Sequence, residues 1–160
     1  MRERLVSVAD WAVDQEDAVL VTLGLGSCVA VAMYDDAVRV GGLAHVLLPS
    51  QSLANDRAKP AKFPETAVPL LVERMRVLGA AQRRLRARIV GGASMFVSTS
   101  GSSMASVGER NVFAVREALD RAGVPLVGED TGLDYGRSVY FFLETGRLEV
   151  RSYAHGVRIL

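Results

Sequence analysis

One cysteine stands at a point in the sequence where a reactive thiol would be useful. Cys28 is the only cysteine among the 160 residues, and it follows the GLGS segment of residues 24–27. That segment separates two apolar runs, residues 17–24 and 28–34, that favour β-strands. A thiol directly after such a turn can lie beside backbone N–H groups that stabilise a thiolate or an oxyanion. A free cysteine is more often a small core side chain, so the case for a reactive thiol depends on the residues around it.

His45 is the histidine that could act together with this cysteine. It lies near the end of a predicted strand over residues 38–48, whereas Cys28 begins the strand of residues 28–34. Antiparallel pairing of these two strands brings the two side chains near each other. A neutral imidazole can take the proton of a thiol and stabilise the attacking thiolate. Thr22 is a candidate for fixing the imidazole tautomer, more weakly than a carboxylate would.

Other chemistries find less support in the sequence. Gly24 and Gly26 lack the third glycine of a dinucleotide-binding fingerprint, because position 29 is Val29. One cysteine and two histidines show no metal-ligand spacing, so we expect neither a metal nor a cofactor. A net charge of +1 gives no bulk attraction to nucleic acid. With no apolar run long enough to cross a bilayer and no signal sequence, we expect a cytoplasmic protein that is not embedded in a membrane.

The chain as a whole reads as one α/β domain over residues 1–160, with more strand than helix. We expect the strands of residues 17–24, 28–34 and 38–48 to share one sheet, with a bulge or weak point at Gly41 and Gly42. Helices are predicted with Thr66 as an N-cap and Gly79 just past the end, and over residues 112–122. The other predicted elements are strands at 85–90 and 125–127, a hairpin of 138–143 with 148–153, and loops at 51–62, 93–106 and 128–132.

Taken together, these residues resemble the CheD family of chemoreceptor glutamine deamidases. The T-x5-C-x16-H spacing of Thr22, Cys28 and His45 matches the catalytic positions of that family, within the runs TLGLGSC and GGLAHVLLP. Leu133 departs from the family pattern, which usually has a second glycine there. Further similar motifs are GGASM at residues 91–95, VGERN at 107–111, and DTG at 130–132 leading to Gly136 and Arg137.

The resemblance implies a fold and an activity. The fold would be a layered α/β sandwich with mixed, largely antiparallel sheets and two main helices, similar to bacterial deamidating toxins. The activity would be hydrolysis of selected glutamine side chains on the cytoplasmic helices of methyl-accepting chemotaxis receptors, giving glutamate and ammonia. A CheC-type phosphatase would be a further partner.

We interpret the mechanism as thiol catalysis without a cofactor. Cys28 would attack the carboxamide carbon, His45 would move the protons, and Thr22 would orient the ring. Backbone N–H groups around Gly26 and Ser27 would hold the oxyanion. Two other functions stay open on the sequence alone. One is a non-catalytic regulatory module that docks to the phosphatase or the receptor, and the other is a cysteine peptidase.

Overall fold

A computed structural model of the chain describes residues 1–94 and 106–160. Within these residues there are ten β-strands and two α-helices. The strands are β1 (Arg2–Leu5), β2 (Trp11–Asp14), β3 (Ala18–Leu25), β4 (Val29–Asp35), β5 (Val40–Val46), β6 (Arg86–Gly91), β7 (Leu126–Thr131), β8 (Arg137–Phe142), β9 (Arg147–Ser152) and β10 (Gly156–Ile159). The helices are α1 (Pro64–Val77) and α2 (Val107–Arg121). None of the helices in this part of the chain is long and apolar enough to cross a membrane.

The strands form two sheets of five strands each. The first has the order β1-β3-β8-β9-β10 and the second the order β2-β5-β4-β6-β7. Among the described strands, β1 with β3 and β6 with β7 pair in parallel, and the other neighbours are antiparallel. The predicted sandwich of mixed, largely antiparallel sheets with two main helices is therefore confirmed. The expectation that β3 shares a sheet with β4 and β5 is wrong, because the turn after β3 carries the chain across to the other sheet.

Alternation along β4 divides its side chains between two apolar cores. Val29 and Val31 pack with the helices, whereas Ala30 and Ala32 face the first sheet. All seven residues of β4 are buried, which explains why its sequence is an almost continuous apolar run. The layers are thus the two helices, the second sheet and the first sheet, and β4 lies in the middle layer.

Gly41 and Gly42 lie in a regular part of β5 and not in a bulge. Both residues keep an unbroken register with β2 and β4. A Cβ atom at Gly41 would collide with the side chain of Leu143, so close packing of the two sheets requires a glycine there. Register shifts occur elsewhere, in the pairing of β3 with β8 between Thr22 and Leu25 and in the pairing of β6 with β7 between Ala87 and Arg88.

Helix α1 begins earlier than the sequence suggests. Phe63 precedes the helix and Pro64 is its first residue, a position where the missing N–H of proline costs little. Thr66 lies inside the first turn, where its hydroxyl donates to the Pro60 carbonyl at 2.5 Å. The predicted end is confirmed, since the helix stops at Val77 and Gly79 has a φ of 101°.

Some further segments depart from the prediction. Residues 1–16, which the sequence leaves unassigned, contain β1 and β2. The predicted loop of residues 128–132 is largely part of β7, and Asp130 in it is a buried ion-pair partner of Arg137 at 3.0 Å rather than a solvated carboxylate. β7 lacks the apolar alternation that signals a strand, and β10 is exposed along its whole length. The hairpin of β8 and β9 is confirmed, while most of the predicted loop at 93–106 lies outside the described residues.

Candidate functional site

The three residues of the predicted catalytic set all enter the layer between the two sheets. Thr22 lies on the same face of β3 as Leu20, and His45 lies on the same face of β5 as Leu43. Cys28 immediately precedes β4 and packs in the same apolar cluster. Thr22 is fully buried, and His45 and Cys28 keep only 1% and 9% of their surface exposed. The structure thus brings the predicted set to one place.

Cys28 and His45 are diagonal neighbours across an antiparallel strand pair. Ala30 is directly opposite His45 in the register of β4 and β5. Cys28 is two residues before Ala30 and therefore on the same face. Diagonal neighbours of this kind have Cα atoms about 7–8 Å apart, with their Cβ atoms closer. The predicted hairpin is thereby confirmed, and Cys28 and His45 lie on the same face of it.

The hydrogen bonds of Thr22 fix the tautomer of the His45 ring. Thr22 Oγ1 lies 2.7 Å from the Val6 carbonyl oxygen and 2.7 Å from His45 Nδ1. A hydroxyl has one proton, and the Val6 carbonyl can only accept it. Oγ1 must then accept the second bond from an Nδ1–H. The proton of the neutral ring is on Nδ1, and Nε2, which is buried without a hydrogen-bond partner among the described residues, keeps its lone pair free.

Burial holds both reactive groups in their neutral forms. It lowers the pKa of His45 to about 4, because the imidazolium loses its hydration in the inter-sheet layer. Burial also raises the pKa of the Cys28 thiol, and the residue's own backbone N–H offsets that effect in part. At neutral pH the resting site therefore holds a thiol and a free imidazole nitrogen, not an ion pair. A neutral imidazole of this kind is able to accept a proton from a thiol.

The segment between β1 and β2 ties the two sheets together at the site. The Val6 N–H donates to the Val21 carbonyl at 2.7 Å. Three residues further on, the Ala9 N–H donates to the His45 carbonyl at 2.9 Å, and the His45 N–H donates to the Asp10 carbonyl at 3.0 Å. Because these contacts use backbone atoms only, no side-chain pattern in the sequence signals the role of this segment.

The turn before Cys28 is held in place by hydrogen bonds that three consecutive carbonyl groups accept. It is formed by Gly26 and Ser27, later than the predicted 24–27 turn, because β3 continues to Leu25. The donors come from the residues after β6 and from the second turn of α2. The Ala93 N–H donates to the Gly26 carbonyl at 2.9 Å, and the Gly92 N–H donates to the Cys28 carbonyl at 2.8 Å. The Asn111 Nδ2 donates to the Ser27 carbonyl at 2.9 Å.

This pattern directs the N–H groups of the turn away from those donors. The C=O and the N–H of a trans peptide point in opposite directions. With the carbonyls of Gly26 and Ser27 held on one side, the N–H groups of Ser27 and Cys28 face the other side. Both residues before Cys28 are half-exposed, so the turn is partly open to solvent directly beside the nearly buried Cys28. The arrangement is suited to holding a negatively charged oxygen.

Two glycines allow the supporting residues to approach the turn so closely. A Cβ at Gly91, where φ is 116°, would collide with the Cys28 carbonyl oxygen. A Cβ at Gly108 would collide with the Ala93 carbonyl oxygen. Any side chain at these positions would push β6 or α2 away from the turn. Gly91 and Gly108 belong to the GGASM and VGERN motifs, which the sequence shows without revealing this role.

Asn111 is the residue at the site that sequence reasoning missed. Its side chain is completely buried, and its Nδ2 donates to the Ser27 carbonyl at 2.9 Å and to the Leu47 carbonyl at 3.1 Å. It therefore bridges the turn before Cys28 and the residues just after His45. The VGERN motif pointed to this position, but nothing in the motif indicated which loops the amide would join.

The second histidine has a different environment. His155 lies in the exposed turn between β9 and β10, and its ring packs on Tyr135 with the ring centroids 4.6 Å apart. Within residues 1–94 and 106–160, no group of three or more His, Cys, Asp or Glu side chains is placed to hold a metal ion.

A thiol next to an imidazole with a held Nδ1–H and a free Nε2 is the arrangement that cysteine–histidine hydrolases use. Comparison with known proteins identifies the family to which the chain belongs. A family model described as CheD chemotactic sensory transduction matches residues 47–152. The chain belongs to the CheD family.

Relatives resemble the chain along nearly its whole length. The protein named "Chemoreceptor glutamine deamidase CheD" of Thermotoga maritima is 44% identical over 157 residues, which cover 98% of this chain and 96% of the relative. "Probable chemoreceptor glutamine deamidase CheD 2" of Geobacter metallireducens is 48% identical over 156 residues, 97% of this chain and 96% of the relative.

A solved structure gives a likeness of fold alone. The hypothetical protein YfiH of Bacillus licheniformis matches with a TM-score of 0.51 at 17% identity, over 78% of this chain and 51% of the YfiH chain. The chain thus spans about half the length of YfiH. The match supports the α/β fold, while the similarity to bacterial deamidating toxins stays a prediction.

Proposed function

We propose that this chain hydrolyses the side-chain carboxamide of selected glutamine residues in chemoreceptors, giving glutamate and ammonia. The relatives that cover the whole chain are named as glutamine deamidases of chemoreceptors. The single observation that carries the chemistry is the 2.7 Å contact between Thr22 Oγ1 and His45 Nδ1. It leaves Nε2 as the free, neutral base on the face that His45 shares with Cys28.

The first half of the reaction forms a thioester. Cys28 Sγ attacks the carboxamide carbon while His45 Nε2 takes the thiol proton. The carbonyl oxygen becomes an oxyanion, which the N–H groups of Ser27 and Cys28 hold. The protonated His45 then gives its proton to the departing nitrogen. The C–N bond breaks, ammonia leaves, and the glutamyl group remains on sulfur.

The second half returns the site to its starting state. His45 Nε2 takes a proton from water as the water oxygen attacks the thioester carbon. The resulting oxyanion uses the same two N–H groups. When the C–S bond breaks, the thiolate leaves and recovers a proton from His45, and glutamate is released. No electron transfer occurs, so the residues described need no redox partner for this route.

Thr22 suits this route better than a carboxylate would. A carboxylate next to Nδ1 raises the basicity of the ring and favours an imidazolium in the resting site. The Thr22 hydroxyl fixes the tautomer without adding charge. The ring stays neutral, as its pKa of about 4 requires, and it gains a proton only while the sulfur attacks.

The surface around the turn is where a substrate side chain would reach the thiol. Leu23 and Gly24 are exposed, and Gly26 and Ser27 are half-exposed, directly before the nearly buried Cys28. A long side chain such as glutamine can extend from a helix surface to a sulfur set this deep. We therefore infer that the cytoplasmic helices of the receptors are the substrate and that the protein acts in the cytoplasm. A CheC-type phosphatase stays a predicted partner.

The names of the relatives support the deamidase rather than the binding-only module. A direct test incubates the protein with receptor cytoplasmic fragments and measures ammonia release and the peptide masses. Deamidation leaves the fragment intact and slightly heavier, because –NH₂ becomes –OH, whereas a peptidase cuts it. Cys28→Ala should abolish both signals. A Cys28→Ala protein that still releases ammonia would remove the thiol mechanism.

A further inference from the structure

We propose that Asn111 is a positioning residue that aims the Cys28 N–H at the oxyanion. The inference rests on the function proposed above, and it assigns a role to a side chain that touches neither the substrate nor the sulfur. Asn111 acts through the Ser27 carbonyl, which belongs to the same peptide unit as the Cys28 N–H.

The orientation of the Asn111 amide follows from its partners. Ser27 and Leu47 both present carbonyl oxygens, at 2.9 and 3.1 Å from Nδ2, and a carbonyl can only accept. Both protons of the –NH₂ group are therefore used. The reversed amide would set Oδ1 against two carbonyl oxygens, which is repulsive. Because the side chain has no exposed surface, bulk water does not compete for these bonds.

The bond to Ser27 sets the direction of the catalytic N–H. The peptide between Ser27 and Cys28 is planar, so the hydrogen bond to its carbonyl oxygen restricts rotation of the whole peptide unit. The N–H then points to the opposite edge. This N–H and the sulfur belong to the same residue, so the two lie close together. An oxyanion formed on a carbon bonded to that sulfur lies within reach of the same N–H.

The bond to Leu47 joins the nucleophile to its base. Leu47 follows directly after β5, two residues beyond His45. One side chain thus fixes the turn that carries the Cys28 N–H relative to the strand that carries the imidazole. A shift of about 1 Å between such groups can cost a factor of about 100 in rate.

Helix α2 makes Asn111 a rigid support. Ser106 caps the helix, and its side chain accepts the Glu109 N–H at 3.2 Å. Val112, the next residue, anchors the helix in the core that the helices share with the second sheet. A donor on a packed helix keeps its place better than a donor on a loop, which is what an oxyanion site needs.

The test compares three variants with the wild-type enzyme on a receptor fragment. Asn111→Leu keeps the branched shape without donors and leaves little room for water, and Asn111→Ala is the second variant if the leucine does not fold. Val115→Ala is the matched control, because it removes packing from the same helix without touching the turn. Each protein is measured for kcat and KM of deamidation and for the rate of Cys28 alkylation by iodoacetamide, which passes through no oxyanion.

We expect kcat of the Asn111 variants to fall about 100-fold, as for the loss of an oxyanion donor. KM and the alkylation rate should change less than about threefold, since binding and sulfur access do not involve the oxyanion. Val115→Ala should keep the kcat of the wild type. If kcat of the Asn111 variants stays within about twofold of wild type, Asn111 is not a positioning residue. The same holds if the alkylation rate falls by the same factor as kcat. If the wild-type protein does not deamidate the receptor fragment, the proposed function is overturned, and this inference with it.

Discussion

Thr22 and His45 belong to different sheets, and the Thr22 Oγ1 and His45 Nδ1 atoms are nevertheless 2.7 Å apart. The contact closes the end of the inter-sheet layer beside Cys28. Since Thr22 also donates to the Val6 carbonyl at 2.7 Å, it connects the imidazole to the first sheet and to the segment that leads to β2. The geometry of the base is thus set by the packing of the two sheets.

Loss of the Thr22 hydroxyl should reduce turnover more than it reduces folding. In Thr22→Val, Nδ1–H and the Val6 carbonyl lose their partner, so the ring is no longer held with Nε2 toward the thiol. We expect kcat to fall by roughly 100-fold, the lower end of what a general base contributes. The unfolding free energy should fall by about 1–3 kcal/mol for the unpaired buried groups. Thr22→Ser is the control and should keep most of the turnover, because the hydroxyl remains. Equal rates for the two variants in an ammonia-release assay would contradict the role.

Stability should fall as the pH decreases from 6.5 towards 4. The pKa of His45 is about 4 in the folded protein against 6.5 as its ordinary value, so the unfolded chain takes up a proton that the folded protein excludes. The stabilisation is complete above pH 6.5 and is lost as the pH falls through the folded value. Between pH 6.5 and pH 4 this protonation lowers the free energy of unfolding by roughly 3 kcal/mol.

Urea unfolding at several pH values measures this loss. Measurements above about pH 5.5, one unit above the ordinary glutamate pKa of 4.5, keep most carboxylate effects out of the comparison. His45→Gln has no ring to titrate and should show a much flatter dependence. The same slope in both proteins would assign the loss to other groups.

Alkylation of Cys28 should be slow at neutral pH. Because burial raises the pKa of the thiol above 9.0, the fraction of thiolate is small and the rate should still be rising above pH 9. Cys28 is the only cysteine, so the extent of labelling by iodoacetamide reports this residue alone. His45→Gln should leave the rate at pH 7 nearly unchanged, since the resting pair is neutral. A large decrease in that variant would indicate a thiolate–imidazolium pair instead.

Leu133→Gly should stabilise the protein. Leu133 has a φ of 60°, a left-handed conformation that costs a residue with a side chain about 1–2 kcal/mol. The side chain is 68% exposed, so little packing is lost. After the greater flexibility of glycine in the unfolded chain is subtracted, we expect a gain of about 0.5–1 kcal/mol in the unfolding free energy. Leu133→Ala is the control, because alanine has the same strain and should show no such gain in thermal unfolding.

Much of the site could be predicted from residue types and spacing. The apolar runs around Cys28 and before His45 indicated two neighbouring strands, and a short connection made them an antiparallel pair. The period of two along a strand then places Cys28 and His45 on one face. Helix ends were predicted well where a glycine requires a positive φ, as at Gly79, and less well where Pro64 could start the helix one turn before the apolar pattern.

The supporting contacts could not be predicted in the same way. Val6, Ala9 and Asp10 contribute backbone groups, which every sequence has. Asn111 lies more than sixty residues from either of the loops it joins, and a lone asparagine in a helix gives no sign of its partners. The position of Leu133 was marked by its departure from the family pattern, and only the backbone conformation shows why a glycine is favoured there.

The sequence by itself indicated the proposed nucleophile, the proposed base and the strand pair that holds them, because local periodicity and a short connection fix which face each side chain takes. Tertiary structure decided how the site is completed. It put Thr22 in the opposite sheet, which fixes the imidazole tautomer across the interface. It also put Asn111 behind the turn before Cys28. Both contacts depend on how two sheets and a helix pack, and packing is set by the fit of many distant side chains rather than by any local pattern.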